Sequence, residues 1–407
     1  MPALKPIRVL ILTHNYPRFD GDFSGIFLSL LTKQILEHGI TPIVLAPHDA
    51  GLPIMETIDG IKIYRFRYAS NSQETLAYRG NMQNAMKSLA GIIKFRQFLN
   101  AFEIEARVVI ESEKIDLIAG HWLIPAGIVM KRLAKSTPLP MILSSHGTDI
   151  RLSKKYPFLF TQYFRSLTHR LYRWTVVSRF LADELTKIDH ALSKILTTLP
   201  LPHDEKLFYR DTSIKKDGNL IVSITRFTEQ KRVNILLKAF AMVHRKNPTA
   251  RLEIYGTGEL QVQIETDIIR SELAGAVTIH PPVAQKLLRD IYSRSAVVVL
   301  NSFQEGFGLA LSEAMLCGTA VIGTDSGGIP DIIEHNRTGL LVPVDDAAKL
   351  AEAMILLLEN VPLRNRLVES GHETAMEKYA SANLTAKYSE IIKGAVQFSQ
   401  EQSGRRT

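Results

Sequence analysis

A single cysteine, Cys317, stands in a chain of 407 residues. That scarcity excludes an intramolecular disulfide and any metal site built from several thiolates, and it suits a reducing compartment. Long apolar runs are also missing. A membrane-spanning helix needs roughly 18 or more apolar residues, and the longest charge-free stretch, Leu117 to Met130, has 14 and contains His121 and Pro125. The N-terminal Met-Pro-Ala-Leu-Lys-Pro-Ile-Arg leads into the short apolar run Val9 to Leu12. It has neither the long apolar centre nor the small-residue cleavage site of a signal peptide. A cytoplasmic protein is expected, with peripheral attachment to the inner face of a membrane as an extension.

Carboxylates are absent from one long stretch. Ile150 to Ala182 holds seven Lys/Arg and no acid, interleaved with Tyr156, Phe158, Phe160, Tyr163, Phe164, Tyr172, Trp174 and Phe180. Such interleaving binds nucleic acid or an anionic membrane surface. A half-buried helix with a solvated basic face would give the same composition. The overall charge of +8 follows this asymmetry: residues 1–205 carry 25 Lys/Arg against 18 Asp/Glu, and residues 206–407 carry 24 against 23. An excess confined to one half marks where an anionic partner would dock.

What is present is a soluble globular composition, 45% apolar and 22% charged, in a chain too long for one ordinary core. Each half opens alike. Ile7 to Thr13 is an apolar run, followed by a glycine loop from Asn15 to Gly25, a helical pattern from Ile26 to His38, and a second run from Pro42 to Ala46. The second half repeats this with Leu220 to Thr225, the loop Arg226 to Arg232, the helix Val233 to Arg245 and the run Arg251 to Tyr255. Further strands are expected at Leu117–Ala119, Met141–Ser144, Val176–Ser178, Val297–Leu300 and Ala320–Gly323, and a helical pattern runs from Ala347 to Glu377. Short apolar runs alternating with helices give parallel sheets with helical crossovers. The expected organisation is two doubly wound α/β domains, 1–205 and 206–380, facing across a cleft, with a C-terminal helix and tail over 381–407.

The most informative stretch is Asn301 to Glu313, where a buried strand runs into a glycine loop that opens a helix near Leu309. Unpaired N–H groups and the positive dipole end of a helix bind phosphate. Glu305 before that helix and Glu313 one turn inside it would accept hydrogen bonds from sugar hydroxyls; capping and solvation would explain them equally. Arg226 and Lys231, in a loop between strand and helix, are placed to neutralise a diphosphate. Gly256-Thr257-Gly258 lacks the third glycine of a dinucleotide fingerprint, because Gln261 takes its place. It reads as the wall of a mononucleotide pocket. Asp20-Gly21-Asp22 is a D-x-D triplet, but turn chemistry accounts for it, and no metal or other cofactor is expected.

The run Glu305-Gly-Phe-Gly-Leu-Ala-Leu-Ser-Glu313 resembles the E-x7-E signature of retaining glycosyltransferases of family 4, the group 1 transferases of GT-B architecture. Arg226 with Lys231 resembles the family's pair on the donor diphosphate. Ser145-His146-Gly147-Thr148-Asp149 resembles its H-G-x-D segment, and Tyr16-Pro17 with Gly21 and Gly25 its N-terminal glycine loop. Gly318-Thr319-Ala320-Val321 and Gly327-Gly328-Ile329-Pro330 also match. Two departures stand out: Lys231 is followed by Arg232 where relatives carry glycine, and Pro202-His203-Asp204-Glu205 replaces the usual Asn-Gly-Val-Asp.

The resemblance implies roles. His146, Arg226, Lys231 and Glu305 would be catalytic. Gly25, Gly21, Gly256, Phe307, Gly308, Leu309 and Glu313 would bind the donor. His121, Asp149 and Tyr16 would face the acceptor. It further implies a hexosyl transfer, with retention, from a UDP-, GDP- or ADP-sugar to a sugar or lipid-linked sugar in envelope polysaccharide or glycolipid synthesis. No nucleic acid is implied. A sugar-nucleotide epimerase of the same fold and a non-catalytic nucleotide-sugar binding subunit are the alternatives.

Overall fold

The computed structural model describes residues 5–19, 21–22, 24–78, 82–147, 149–151 and 157–404. The chain divides into two compact units.

The first unit holds an eight-stranded sheet: β1 (Ile7–Leu12), β2 (Ile40–Pro47), β3 (Met55–Ile58), β4 (Ile61–Phe66), β5 (Leu117–His121), β6 (Met141–Ser145), β7 (Leu171–Val176) and β8 (Leu196–Thr198). Their spatial order is β3-β4-β2-β1-β5-β6-β7-β8, all parallel except for the β3–β4 hairpin. The order reverses between β1 and β5, which lie side by side. At such a reversal the crossovers leave on opposite faces, and a crevice opens beyond the strands' carboxyl ends. Helices α1 (Ile26–Ile35), α2 (Leu89–Ser112) and α3 (Pro157–Thr168) belong to this unit.

The second unit, Ser178–Phe180 and His203–Ala380, has six parallel strands: β9 (Asp217–Ile224), β10 (Arg251–Tyr255), β11 (Val277–His280), β12 (Ser295–Leu300), β13 (Ala320–Thr324) and β14 (Leu340–Val342). Their order, β11-β10-β9-β12-β13-β14, reverses between β9 and β12. Helix α4 (Val233–Lys246) buries Val233, Leu236, Leu237, Phe240 and Val243, the 3.6-residue spacing of one apolar face. Helix α5 (Leu309–Leu316) begins at Gly308, whose φ is 115°. The expected helix from Ala347 to Glu377 is two helices, Ala347–Glu359 and Val361–Tyr379. The break falls at Asn360, whose side chain caps the second helix by accepting from Leu363 N–H at 3.0 Å, and Pro362 sits in that helix's first turn, where its missing N–H costs no bond.

The last helix, α6 (Ser381–Gly404), belongs to the first unit. It buries Leu384, Tyr388, Ile392 and Ala395, and the last three join the core of Val9, Ile11, Leu28 and Ile142. Thr385 donates to Gln34 of α1 at 2.7 Å. The strand expected at Val176–Ser178 lies earlier, at Leu171–Val176. Alternation in Leu-Tyr-Arg-Trp-Thr-Val hid it, since Arg173 and Tyr172 are half-exposed polar members of an otherwise buried strand.

Candidate functional site

In the second unit, three loops meet at the reversal between β9 and β12. The loop after β9 is held from below: Phe227 is fully buried, and its N–H donates to Thr257 O at 2.9 Å. The loop after β12 is tied to it by Phe303 N–H to Gln230 O at 2.8 Å and by Asn301 Nδ2 to Arg232 O at 2.7 Å. The loop after β13 closes the set. Gly328 N–H donates to Glu305 O at 2.7 Å, and Gln304 N–H to Ser326 Oγ at 2.9 Å. A Cβ on Gly327 would fall 2.3 Å from Glu305 O, and one on Gly328 2.5 Å from Gly306 O. Only two glycines in succession let these backbones approach so closely.

This stitching brings Lys231 and Glu305 into a direct ion pair, with side chains 13% and 16% exposed. Arg226 lies on the same loop, exposed; its carbonyl accepts from Thr228 N–H at 3.0 Å, and its guanidinium makes no hydrogen bond or ion pair among the described residues. Arg232 adopts φ +48° as the residue before α4, a left-handed conformation that costs an ordinary side chain roughly 1 kcal/mol and glycine nothing. That geometry favours glycine, and Arg232 is held there by an ion pair to Asp345 at 2.9 Å.

Glu313, one turn into α5, is buried and accepts a hydrogen bond from Tyr292 Oη at 2.8 Å. Burial pushes its pKa up to about 7, against the Tyr292 and Gln285 hydrogen bonds that lower it. Phe307 is 4% exposed, with its ring against Tyr379 and His203, so its side chain is a packing element. Its backbone, with Gly308 and Leu309, forms the mouth of α5. Gly256 serves the fold directly: a Cβ there would lie 1.8 Å from Thr225 O, so the missing side chain admits the neighbouring loop.

In the first unit the functional candidates gather at the carboxyl ends of β1, β5 and β6. His121 Nδ1 lies 3.2 Å from His146 Nε2, with the rings nearly parallel at 8° and centroids 5.5 Å apart. Trp122 packs on His146 at 4.5 Å and edge-on to His14 at 4.7 Å. Burial lowers His14 to about 4 and His121 to about 3. His146 is driven well below its ordinary value by burial and by the other two imidazoles, so all three are neutral at pH 7. His121 and His146, with Phe27, Ser144, Thr175 and Tyr388, line a recess of about 30 Å³, room for a water-sized group.

The remaining candidates are placed as follows. Gly25 takes φ +68° at the start of α1, and a Cβ would meet Asn15 O at 2.2 Å. Gly21 has φ +84° and open space around it. Tyr16 is buried, its hydroxyl 2.9 Å from Thr32 Oγ1. Asp149 is buried too, and accepts from Leu123 N–H at 2.8 Å and Gly147 N–H at 3.2 Å, so it shapes the turn that carries His146. Of the D-x-D triplet, Asp20 lies outside the described residues. Asp22 accepts from Arg18 Nε at 2.7 Å and Ser24 N–H at 3.1 Å. Among the described residues no cluster of three or more His, Cys, Asp or Glu is placed to hold a metal ion.

Sequence reasoning missed His14, Trp122, Tyr292 and Tyr388. A histidine follows or ends three strands that prove to be neighbours, a signal readable only once the strand order is known.

Comparison with known proteins agrees with this geometry. Residues 25–195 match the family model for Glycosyltransferase Family 4, and residues 204–374 match Glycosyl transferases group 1. The chain belongs to this glycosyltransferase family, and its fold is GT-B. It is 29% identical over 304 residues to an N-acetyl-alpha-D-glucosaminyl L-malate synthase of Bacillus anthracis, covering 70% of this chain and 76% of the other. In structure it resembles a sucrose-phosphate synthase of Thermosynechococcus elongatus, with TM-score 0.77 and 19% identity over 95% of this chain and 98% of the other. It also resembles Anabaena HepE, crystallised with UDP-glucose, at TM-score 0.73 and 15% identity over 95% and 100%.

Proposed function

We propose that this glycosyltransferase moves a hexosyl group, with retention and without a metal, from a nucleoside-diphosphate sugar to a hydroxyl acceptor of an envelope polysaccharide or glycolipid. The observation that carries the reading is the Lys231–Glu305 ion pair made by loops stitched together just ahead of α5, with Arg226 exposed on the same loop as Lys231. Arg226 and Lys231 stabilise charge as it develops on the departing diphosphate, the work a metal would otherwise do. Backbone N–H groups at residues 307–309 share that load. Glu305 accepts hydrogen bonds from the sugar's hydroxyls, and Glu313 from the ribose.

Hydrolytic enzymes flank the sugar with two carboxylates; here both glutamates belong to one loop and helix. Positioning and charge stabilisation therefore supply the rate. The leaving phosphate takes the acceptor's proton on the face it departs from, which preserves the anomeric configuration. HepE's complex with UDP-glucose makes a UDP-sugar the first donor to try.

Attachment to an anionic membrane has support on α2. Leu89, Ile92 and Ile93 are more than half exposed there, beside Lys94 and Arg96, in a stretch without a carboxylate between Glu74 and Glu103. The basic aromatic stretch 150–182 offers less, because Phe160, Phe164 and Trp174 are buried; Tyr156 lies outside the described residues. Among the described residues no helix is long and apolar enough to cross a membrane.

The test is product analysis with radiolabelled UDP-, GDP- and ADP-sugars, with and without acceptor, in EDTA. Arg226→Ala and Lys231→Ala are each expected to lose on the order of 10²-fold in turnover. Near wild-type rates in both, or abolition by the chelator, would overturn the metal-free diphosphate role.

A further inference from the structure

Tyr292 lies in the last turn of the helix Gln285–Arg294, which leads directly into β12. Its ring is fully buried and packs on Phe208, with centroids 6.2 Å apart. Its carbonyl accepts from Ser295 Oγ and Thr319 Oγ1, both at 2.7 Å. Lys216, the residue before β9, secures the same helix end. Its Nζ donates to Ser293 O at 3.1 Å, Ser295 O at 3.3 Å and Thr319 Oγ1 at 3.0 Å, so the ammonium's protons all meet uncharged oxygens. A cation on the last carbonyls of a helix is favourable. Residues at the amino ends of β9, β12 and β13 thus fix the backbone of Tyr292. From that anchor its hydroxyl donates to Glu313 Oε2 at 2.8 Å, the phenol's one hydrogen bond among the described residues.

Glu313, on α5, is 7% exposed. The terminal torsion of a glutamate is broad and soft, so an untethered carboxylate has no fixed plane. Tyr292 takes one lone pair of Oε2 and sets that plane, while an ionised carboxylate keeps further lone pairs for a ligand. Burial pushes Glu313 up to about 7, and the phenol's bond acts against that shift. The phenol therefore favours the charged form, whose hydrogen bonds are roughly twice as strong as those of neutral groups. Orientation and charge are both served by one hydroxyl.

We propose that Tyr292 is a positioning residue that acts through Glu313 to make the donor site select ribose over a sugar lacking the 2′- and 3′-hydroxyls. This rests on the reading of Glu313 as the carboxylate that accepts from the donor's ribose. A carboxylate held in one plane by a buried neighbour presents its lone pairs to those hydroxyls at no further ordering cost. Without the phenol, Glu313 loses its tether and part of its charge. The nucleotide then loses its ribose bonds and keeps those to its diphosphate and base. A dideoxy nucleotide has no such bonds to lose, so the two forms respond differently to the same substitution.

Calorimetric titration at pH 8 with UDP, GDP and ADP, each as the ribonucleotide and as the 2′,3′-dideoxy form, tests this. The ribonucleotide that binds wild type best is expected to bind about 10-fold or more tighter than its dideoxy form, the scale of hydrogen bonds to a charged group. In Tyr292→Phe that ratio falls to about 3-fold or less, because the ribonucleotide Kd rises while the dideoxy Kd stays within about 2-fold. Ser295→Ala removes one of the two bonds on the Tyr292 carbonyl and leaves the phenol. It lowers the ratio the same way by less, and serves if Tyr292→Phe is poorly folded. A wild-type ratio in folded Tyr292→Phe overturns the proposal, and so does one in Ser295→Ala if that is the variant that folds. Equal weakening of both nucleotide forms also overturns it, since a generally loosened site gives that pattern. Glu313→Gln separates the two levels of the argument. A ratio lost there but kept in Tyr292→Phe removes only the part assigned to Tyr292, whereas a ratio kept in Glu313→Gln removes the ribose reading itself. If none of the three ribonucleotides binds wild type, the donor reading falls with both.

Discussion

Glu313 shows how one buried side chain couples chemistry to stability. Its pKa of about 7 in the fold stands against 4.5 for an ordinary glutamate. Between those values the folded state holds the proton and the unfolded chain does not. Stability contributed by this group is therefore full below about pH 4.5, falls as pH rises to about 7, and is flat beyond, by on the order of 3 kcal/mol. Glu313→Gln is expected to remove that slope. Thermal midpoints of both proteins between pH 5 and 8, without ligand, would reveal it, and an unchanged slope in the variant would assign it elsewhere. The sequence spacing of Glu305 and Glu313 was informative about the motif, yet it could not foresee this titration. Tyr292, 21 residues away, and the depth of α5 in its unit decide it.

At the scale of elements, the loops after β9, β12 and β13 are a set of close backbone contacts, and glycines make them possible. Gly256 and Gly258 admit the loop after β9, since their Cβ atoms would sit 1.8 Å from Thr225 O and 2.4 Å from Phe227 O. Gly256→Ala is expected to destabilise the protein by about 2–4 kcal/mol, the scale of a backbone clash in a packed site. It should also weaken donor binding, because Arg226 and Lys231 ride on the displaced loop. Chemical denaturation and donor titration measure the two effects, and wild-type stability would show that the loop shifts freely. The glycines were visible in the sequence as a partial dinucleotide fingerprint. Which surface they face was not, because a glycine that admits a ligand and one that admits a neighbouring loop are spelled alike.

For the whole molecule, the first unit is discontinuous in sequence. It is built from the N-terminal half and completed by α6, which supplies Tyr388, Ile392 and Ala395 to its core. Ile392 is fully buried, so Ile392→Ala is expected to cost about 2–5 kcal/mol, the range for deleting a buried aliphatic side chain. Its effect should appear as a lowered denaturation midpoint, and a wild-type midpoint would mean that α6 contributes little to that core.

The sequence by itself determined the class of fold and the loop-and-helix motif of the second unit. Both are local: apolar runs of strand length, alternating helices, and a loop-and-helix motif whose residues are neighbours in the chain. It also located His146 and His121 at strand ends. Tertiary structure alone decided that β1, β5 and β6 stand side by side, and that a tyrosine 267 residues from His121 bonds to it. It decided equally that Asp149 and Tyr16 turn inward to the fold. Strand order and the return of the last helix are set by burial summed over a whole sheet, a quantity that no short stretch of sequence carries.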